Sequence, residues 1–444
     1  MTNGTHHADE RSAPPRDGGS PPWSVIETTY AQRTPASAER MARARACMPG
    51  GNTRTFGFLR PHPPAFERAL GPYMWDLDGN RYVDLVGNGM SLIHGHAYAP
   101  VVRAVQDQVA RGSAWPGSSA PQLELAELLC DRVATADHVR FVNTGTEATM
   151  LAVKLARRVT GRPLVLKALH AYHGSYDDLE AGLLGAPEIP GRTLLAAFGD
   201  VEDFARVLAE HGEQVAAVIV EPVMVTGVHT PPPPGFLPAV ERLAKEAGAL
   251  AILDDCIMFR LAVGGSAERF GLAPDLTCLG KWIGGGLPVG AVAGSAELLS
   301  ILDPGSAAPL YHGGSFNGNV LGCAAGAVAV RDLTAERIAA MERTAGELAE
   351  GLRERATRAG VPLRVIHEGS SMGLYVLDDD GMIDFERLAL LHCAAMNHGV
   401  YFGSGGEVAL STAIDDAVLG FTLDAFEQAL GAVAGALRDG AGRR

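Results

Sequence analysis

From about residue 89 to residue 327, short apolar runs alternate with amphipathic stretches. Val215-Ala216-Ala217-Val218-Ile219-Val220 is the plainest of the runs, and Leu123 to Val133 and Leu237 to Ala247 are typical of the stretches. A strand that is apolar at every position is covered on both faces. Strands separated by helix-length segments pair in parallel, with the helices packed over the sheet. This alternation restricts the chain to an α/β architecture, a mainly parallel sheet flanked by helices, over residues 89–327.

The rest of the chain is organised around that unit. Residues 1–22 carry Gly, Pro, Ser, Asp and His with almost no large apolar side chain, so they are expected to be a disordered tail. Residues 23–88 include a helix-like stretch from Ser37 to Met48. A strand then begins at Tyr73 and turns at Asp78-Gly79-Asn80, a hairpin signal. This segment is expected to pack with the C-terminal lobe. Residues 328–444 open on a long helical pattern through Ala356, continue in shorter strands and end in a helix from Leu423 to Arg438, a smaller α+β domain. Pro231 to Pro234 reads as a rigid loop, and no internal repeat is visible.

The ends of the apolar runs carry the chemistry. Leu276-Thr277-Cys278-Leu279-Gly280-Lys281 runs from a strand into an amine and then into Gly284-Gly285-Gly286. A lysine amine attacks an aldehyde only when unprotonated, and an apolar, glycine-lined strand end disfavours the ammonium, so Lys281 suits Schiff-base formation. A snorkelling surface lysine is the alternative. Asp254 ends the run Ala249 to Leu253, and strand ends are where open α/β sheets hold ligands. A carboxylate there can pair with a pyridine nitrogen and keep the ring an electron sink. Phe141 to Thr149 is a short strand breaking at Asn143-Thr144-Gly145-Thr146 into a helix, whose first amides could cradle a phosphate or serve only as an N-cap. Tyr172 and His173 follow the strand-like Pro163 to Lys167, where an aromatic can stack on a ring or simply pack.

Together these residues resemble the class III, fold type I aminotransferases, and especially the branch of glutamate-1-semialdehyde aminomutase and the bacterial β-amino acid transaminases. The resemblance runs from about residue 40 to the C-terminus. Its motifs are Met48 to Arg54, Asn143 to Ala148, Tyr172-His173-Gly174, Glu221-Pro222, Asp254 with Phe259-Arg260-Leu261, Leu279-Gly280-Lys281 and Gly314-Ser315-Phe316-Asn317. It implies pyridoxal 5'-phosphate as cofactor, with Lys281 holding it as an internal aldimine and serving as catalytic acid and base. Asp254 would face the pyridine nitrogen, and Tyr172 would stack on the ring, with His173 and Cys256 in the cofactor pocket. Thr144, Gly145 and Thr146 would hold the phosphate, and Ser315 would reach it from the neighbouring subunit of a homodimer with interfacial sites. Arg54, in its Gly-Gly-Asn-Thr-Arg context, would grip the substrate carboxylate, a task that suits a planar, two-pronged guanidinium.

Three departures from the family pattern bear on substrate. The usual Asp-Glu-Val is Asp254-Asp255-Cys256, which places a thiol beneath the ring, where it reads as a small apolar filler. The usual threonine of the phosphate contact is Ser315, which keeps the hydroxyl. The β-amino acid transaminases carry an arginine in the C-terminal stretch for a distal carboxylate, whereas here Tyr401 to Ser411 has none, and Gly405 aligns best with it. Glutamate is therefore expected to be a poor amino donor. Glu407 adds negative charge nearby, which suits an amine-bearing or neutral substrate.

The leading expectation is amino-group transfer on a β-amino acid or amino ketone. Alternatives are intramolecular amine migration, as in the aminomutase, and another pyridoxal phosphate reaction: decarboxylation, racemisation or carbon-carbon bond formation. A non-catalytic scaffold is disfavoured, since such a protein is free to lose both Lys281 and Asp254. The 444 residues can bury a large core, and a formal net charge of -14 argues against nucleic acid or an anionic membrane as partner. Six cysteines, at 47, 130, 256, 278, 323 and 393, show no metal or Cys-x-x-Cys spacing. With neither a signal pattern at the N-terminus nor an apolar run of membrane length, the expected location is the cytoplasm.

Overall fold

A computed structural model of the chain describes residues 24–54, 59–183, 191–226 and 228–441. The segment expected to be a disordered tail, residues 1–22, lies outside the described residues. An antiparallel N-terminal sheet is formed by β1 (Phe66–Leu70), β2 (Tyr73–Asp76) and β3 (Arg81–Asp84). The β2–β3 turn is fixed by Asp76, whose carboxylate accepts the amides of Asp78 and Asn80 at 3.0 and 2.8 Å, and by Gly79, which takes the positive φ of 83°.

The central sheet has seven strands: β4 (His138–Val142), β5 (Leu164–Ala168), β6 (Thr193–Ala196), β7 (Val215–Val220), β8 (Leu250–Asp254), β9 (Leu276–Leu279) and β10 (Gly290–Gly294). Their spatial order is β4-β10-β9-β8-β7-β5-β6. β10 runs antiparallel to both of its neighbours, and the other pairings are parallel. All six residues of β7 are buried, as its unbroken apolar run requires, and each large aliphatic side chain so covered contributes roughly 1.5–3 kcal/mol. Helix Gly145–Thr160 shows why the flanking stretches are amphipathic. Ala148, Leu151, Ala152, Leu155 and Ala156 form one buried stripe, Thr144 caps the start, and Gly161 ends the helix at φ 70°.

The small domain contains β11 (Leu363–Glu368), β12 (Ser371–Val376), β13 (Val400–Tyr401) and β14 (Glu407–Ala409). β12 pairs with β11 and β14, whereas β13 adds in parallel to β3, so the N-terminal sheet and the small domain share strands. The helical pattern expected to run from 328 through Ala356 is two helices, Val320–Asp332 and Ala335–Ala359. The break comes at Thr334, whose hydroxyl accepts the Arg337 amide. The second helix joins the domains: Ile338 and Met341 pack with Leu125 and Trp282, and Leu348 and Leu352 pack in the small-domain core. Buried Arg260 adds a second tie, donating to Ser370 Oγ at 2.9 Å and to the Leu410 carbonyl. The C-terminal helix, Asp416–Ala441, is long and apolar enough to pass for a membrane span by length and composition. Half of that stretch is buried, and Phe426, Ala429, Leu430 and Val433 sit in the small-domain core.

Candidate active site

β4, β5, β7, β8 and β9 run in one direction, so their C-terminal ends open on one edge of the sheet. The residues at or just after these ends are Thr144, the Tyr172-His173 loop, Glu221, Asp254 and Lys281, and they meet there. Gly280 is extended at φ -170°, and Lys281 follows at φ 53° on the short 3-10 turn Lys281–Gly284 rather than on the strand itself. A left-handed lysine costs about 1 kcal/mol or more, a strain held in place by fully buried Trp282, which stacks on Phe259 at 5.5 Å.

Asp254 is 7% exposed and accepts a hydrogen bond from His173 Nδ1 at 2.8 Å, while its other oxygen accepts the Cys256 amide at 3.3 Å. Burial alone would raise its carboxyl, but the His173 hydrogen bond and the nearby Lys281 hold it below the ordinary carboxylate range. Burial pushes the His173 imidazole down, so the pair is a neutral, Nδ1-protonated histidine beside an ionised aspartate. His173 Nε2 is buried without a hydrogen-bond partner.

Glu221 directly follows β7 beside this pair and accepts the Tyr172 amide at 2.9 Å. Burial, then the neighbouring Asp254, pushes its carboxyl up to about 8. Asp255 behaves alike, raised to about 7 by burial. One ionised carboxylate is thus flanked by two acids that resist ionisation. Lys167 of β5 lies fully buried behind them and donates to the Leu179 and Ala181 carbonyls at 2.9 and 2.7 Å, pinning the far side of the loop that carries Tyr172.

The phosphate-type turn is assembled tightly. Thr144 Oγ1 accepts the Glu147 amide at 3.1 Å, which leaves the first-turn amides of helix Gly145–Thr160 as the free donors of a helix start. Thr146 Oγ1 accepts the Ser175 amide at 3.3 Å, and Gly174 presses so closely on Thr146 that a side chain there would collide with it. Cys256 Sγ packs between two glycines: a Cβ at Gly145 would stand 2.8 Å from it, and one at Gly280 would stand 3.3 Å away. The buried thiol is the spacer that joins the phosphate turn to the lysine turn. Tyr172 keeps 38% of its surface exposed, a ring face open to a stacking partner.

The structure brings Lys281, Asp254, His173, Cys256, Thr144, Gly145, Thr146 and Tyr172 into this one cluster. Arg54 stands at the rim, donating to Asn88 Oδ1 at 2.7 Å on the turn Gly87–Met90. Two positions of that turn and its flank bridge inward: Met90 packs with Val223 and Ala409, and Leu92 meets Gly286. Ser315 lies exposed on a loop tied to the cluster through Asn317, whose Oδ1 accepts Asn143 Nδ2 at 3.1 Å. Glu221 and Lys167 had no role assigned from sequence. The usable signal for Glu221 was an acid directly after an all-apolar strand, the same pattern that singled out Asp254.

These groups fit pyridoxal phosphate. An ionised carboxylate is buried at a strand end, a helix start offers amides, a ring face is open, and an amine stands within the electrostatic reach of Asp254 and Glu221. The class-III aminotransferase family model matches residues 60–179 and 196–430. Glutamate-1-semialdehyde 2,1-aminomutase of Chloroflexus aggregans is 38% identical over 435 residues, covering 90% of this chain and 99% of its own length. Among solved structures, an omega-transaminase from Sphaerobacter thermophilus superposes with a TM-score of 0.86 at 34% identity, covering 91% of this chain and 99% of its own. A beta-phenylalanine aminotransferase from Variovorax paradoxus superposes with a TM-score of 0.84 at 30% identity, covering 94% and 97%. With its strand-end lysine and aspartate in place, this chain belongs to the class III aminotransferases, pyridoxal phosphate enzymes of fold type I.

Proposed function

We propose that this protein moves an amino group on a β-amino acid or amino ketone, with Lys281 as the attachment point of the cofactor and as the acid-base group. The observation that carries this reading is the convergence of Lys281, ionised Asp254 and exposed Tyr172 at parallel strand ends, with Arg54 on the adjoining rim. Pyridoxal phosphate supplies an aldehyde that condenses with amines and an electron-poor ring that stabilises negative charge at the substrate carbon. The chain's residues do the rest. Asp254, held ionised by His173, would keep the ring nitrogen protonated, and the first amides of helix Gly145–Thr160, with Thr144 and Thr146, would anchor the phosphate. Cys256 sets the spacing between the phosphate turn and the lysine turn, and the Lys281 amine would carry the proton to and from the reacting carbon. Arg54 binds a carboxylate set back from the amine-bearing carbon.

Intramolecular amine migration is the second reading, and it is supported by the aminomutase relatives at 38% identity. The visible spectrum of the holoenzyme separates the two. Bleaching of the cofactor band by a β-amino acid without acceptor, with release of a keto acid, supports transfer. A band that no amino acid or simple amine alters counts against transfer and favours migration or bond-forming chemistry on a specialised substrate.

A cytoplasmic homodimer is part of this proposal. A groove of about 320 Å³ lined by Leu92, Val101, Val102, Val105 and Leu287, together with exposed Tyr311 and Phe316 on the loop that precedes and contains Ser315, offers apolar surface for a second copy. In such a dimer Ser315 would supply its hydroxyl to the phosphate bound in the partner subunit.

A further inference from the structure

Three consecutive residues join the cofactor strand to the other walls of the site. The 3-10 turn Met258–Arg260 follows closely on Asp254, and the Phe259 amide donates to the Asp255 carbonyl at 3.1 Å. A 3-10 helix has three residues per turn, so successive side chains point about 120° apart. All three are buried, and each goes a different way. Met258 packs with Met90, Val223 and Ala409, Phe259 stacks on Trp282, the neighbour of Lys281, and Arg260 reaches into the small domain.

Arg260 closes a ring with Ser370 and Leu410. Its Nε donates to Ser370 Oγ at 2.9 Å and its terminal nitrogen donates to the Leu410 carbonyl, while the Leu410 amide donates to the Ser370 carbonyl at 2.9 Å. Burial pushes the guanidinium down to about 9, with no carboxylate beside it to hold it up. An uncharged side chain of similar size would cost less to bury, so what the guanidinium contributes is direction, two donors in a fixed fork. The segment it grips is strapped in turn to the rim. The Ala409 amide donates to the Leu85 carbonyl at 2.6 Å, and the Thr412 amide donates to the Ile93 carbonyl at 2.9 Å. Between those two bonds lies the turn Gly87–Met90, whose Asn88 receives Arg54. A continuous path of contacts thus runs from the end of β8 through Arg260 and Leu410 to the rim.

We propose that Arg260 is a positioning residue that holds the rim, residues 85–93, in register with the cofactor strand and so sets the affinity for carboxylate ligands without touching them. The inference rests on the proposed function in placing those carboxylates at the Arg54 rim. Removing the fork leaves the Met258 and Phe259 contacts of the turn in place, so the cofactor end of the path is expected to keep its geometry while the rim end loosens.

Arg260→Met, which keeps the length and loses both donors, tests this in the holoenzyme. Amide hydrogen exchange over residues 85–93 and 407–412 is expected to speed up at least about threefold, with β8 unchanged. The Kd for butyrate, measured by titration calorimetry and counted per bound cofactor, is expected to rise at least about threefold, a modest effect for a residue on a packed path between two regions. Arg260→Lys, with one donor head in place of the fork, should fall between the two proteins. Ser370→Ala removes one acceptor, serves where methionine disturbs folding, and should weaken butyrate in the same direction. Unchanged exchange at 85–93, or wild-type butyrate affinity per bound cofactor in both Arg260→Met and Ser370→Ala, overturns the proposal. Arg54→Ala keeps the two readings apart. If it leaves butyrate binding unchanged while Arg260→Met weakens it, the grip fails and the positioning role stands.

Discussion

His173 donates from Nδ1 to Asp254 at 2.8 Å, and both side chains are buried. This one bond decides the charge state at the head of the site, because burial works against an ionised aspartate and the imidazole N–H offsets it. A hydrogen bond to a charged group contributes about 1.5–3 kcal/mol, so His173→Phe is expected to lower turnover roughly tenfold to hundredfold. The pH profile of the cofactor band should shift with it. A variant with wild-type turnover and an unshifted profile would show that Asp254 needs no partner.

Lys281→Ala removes the amine proposed to attach the cofactor at these strand ends. The variant is expected to fold, because alanine meets the same left-handed φ of 53° as lysine and so adds no new backbone strain, and to retain cofactor only non-covalently. Borohydride treatment followed by mass spectrometry checks this. The wild type should keep the cofactor's mass on the peptide that contains Lys281, and the variant should not.

Arg54→Ala should separate carboxylate-bearing substrates from simple amines. Loss of a charge-assisted grip on a carboxylate costs about 1.5–3 kcal/mol, so kcat/KM for a β-amino acid is expected to fall at least tenfold, with simple amines changed much less. Equal loss for every amine would sink the assigned role.

The alternation of strands and helices and the residues that close the strands were legible because both depend on local pattern. An all-apolar run such as Val215–Val220 can only be a doubly covered strand, and Lys281, Asp254 and Tyr172 announce themselves as polar or aromatic residues closing such runs. What stayed hidden depends on packing between distant segments. The neutral state of Glu221 comes from burial against Asp254, and the anchoring by Lys167 comes from two carbonyls more than ten residues away. The break at Thr334 was also missed. Its capping hydroxyl is a weak signal inside a helical pattern that continues on both sides.

Acid should destabilise the protein through two buried histidines. His229 and His392 are 1% and 2% exposed, and burial, aided at His229 by nearby His367, pushes both down to about 4 from 6.5. The folded state binds fewer protons than the unfolded one between those values. Their contribution is therefore complete above pH 6.5 and is lost as pH falls toward 4, by roughly 3 kcal/mol for each histidine. Urea midpoints measured from pH 7.5 to 4.5 should fall, and His392→Phe should flatten the lower half of that curve. A variant with the wild-type slope would remove His392 from the account.

Cys256 and Gly145 offer the most specific check on how the cofactor cradle is spaced. A methyl at Gly145 would stand 2.8 Å from Cys256 Sγ, closer than a real Cβ contact allows, while the glycine's φ is ordinary, so the penalty is purely one of space. Gly145→Ala is expected to cost about 1–3 kcal/mol of stability, as overpacking does, and to weaken cofactor binding by displacing the helix start. Cys256→Ala opens the room the methyl needs. The double variant should therefore recover much of the loss, giving a coupling energy of at least about 0.5 kcal/mol from residues in direct contact. Thermal unfolding of the four proteins, with and without cofactor, completes the cycle. Strict additivity would mean that the thiol does not set the distance between the phosphate turn and the lysine turn.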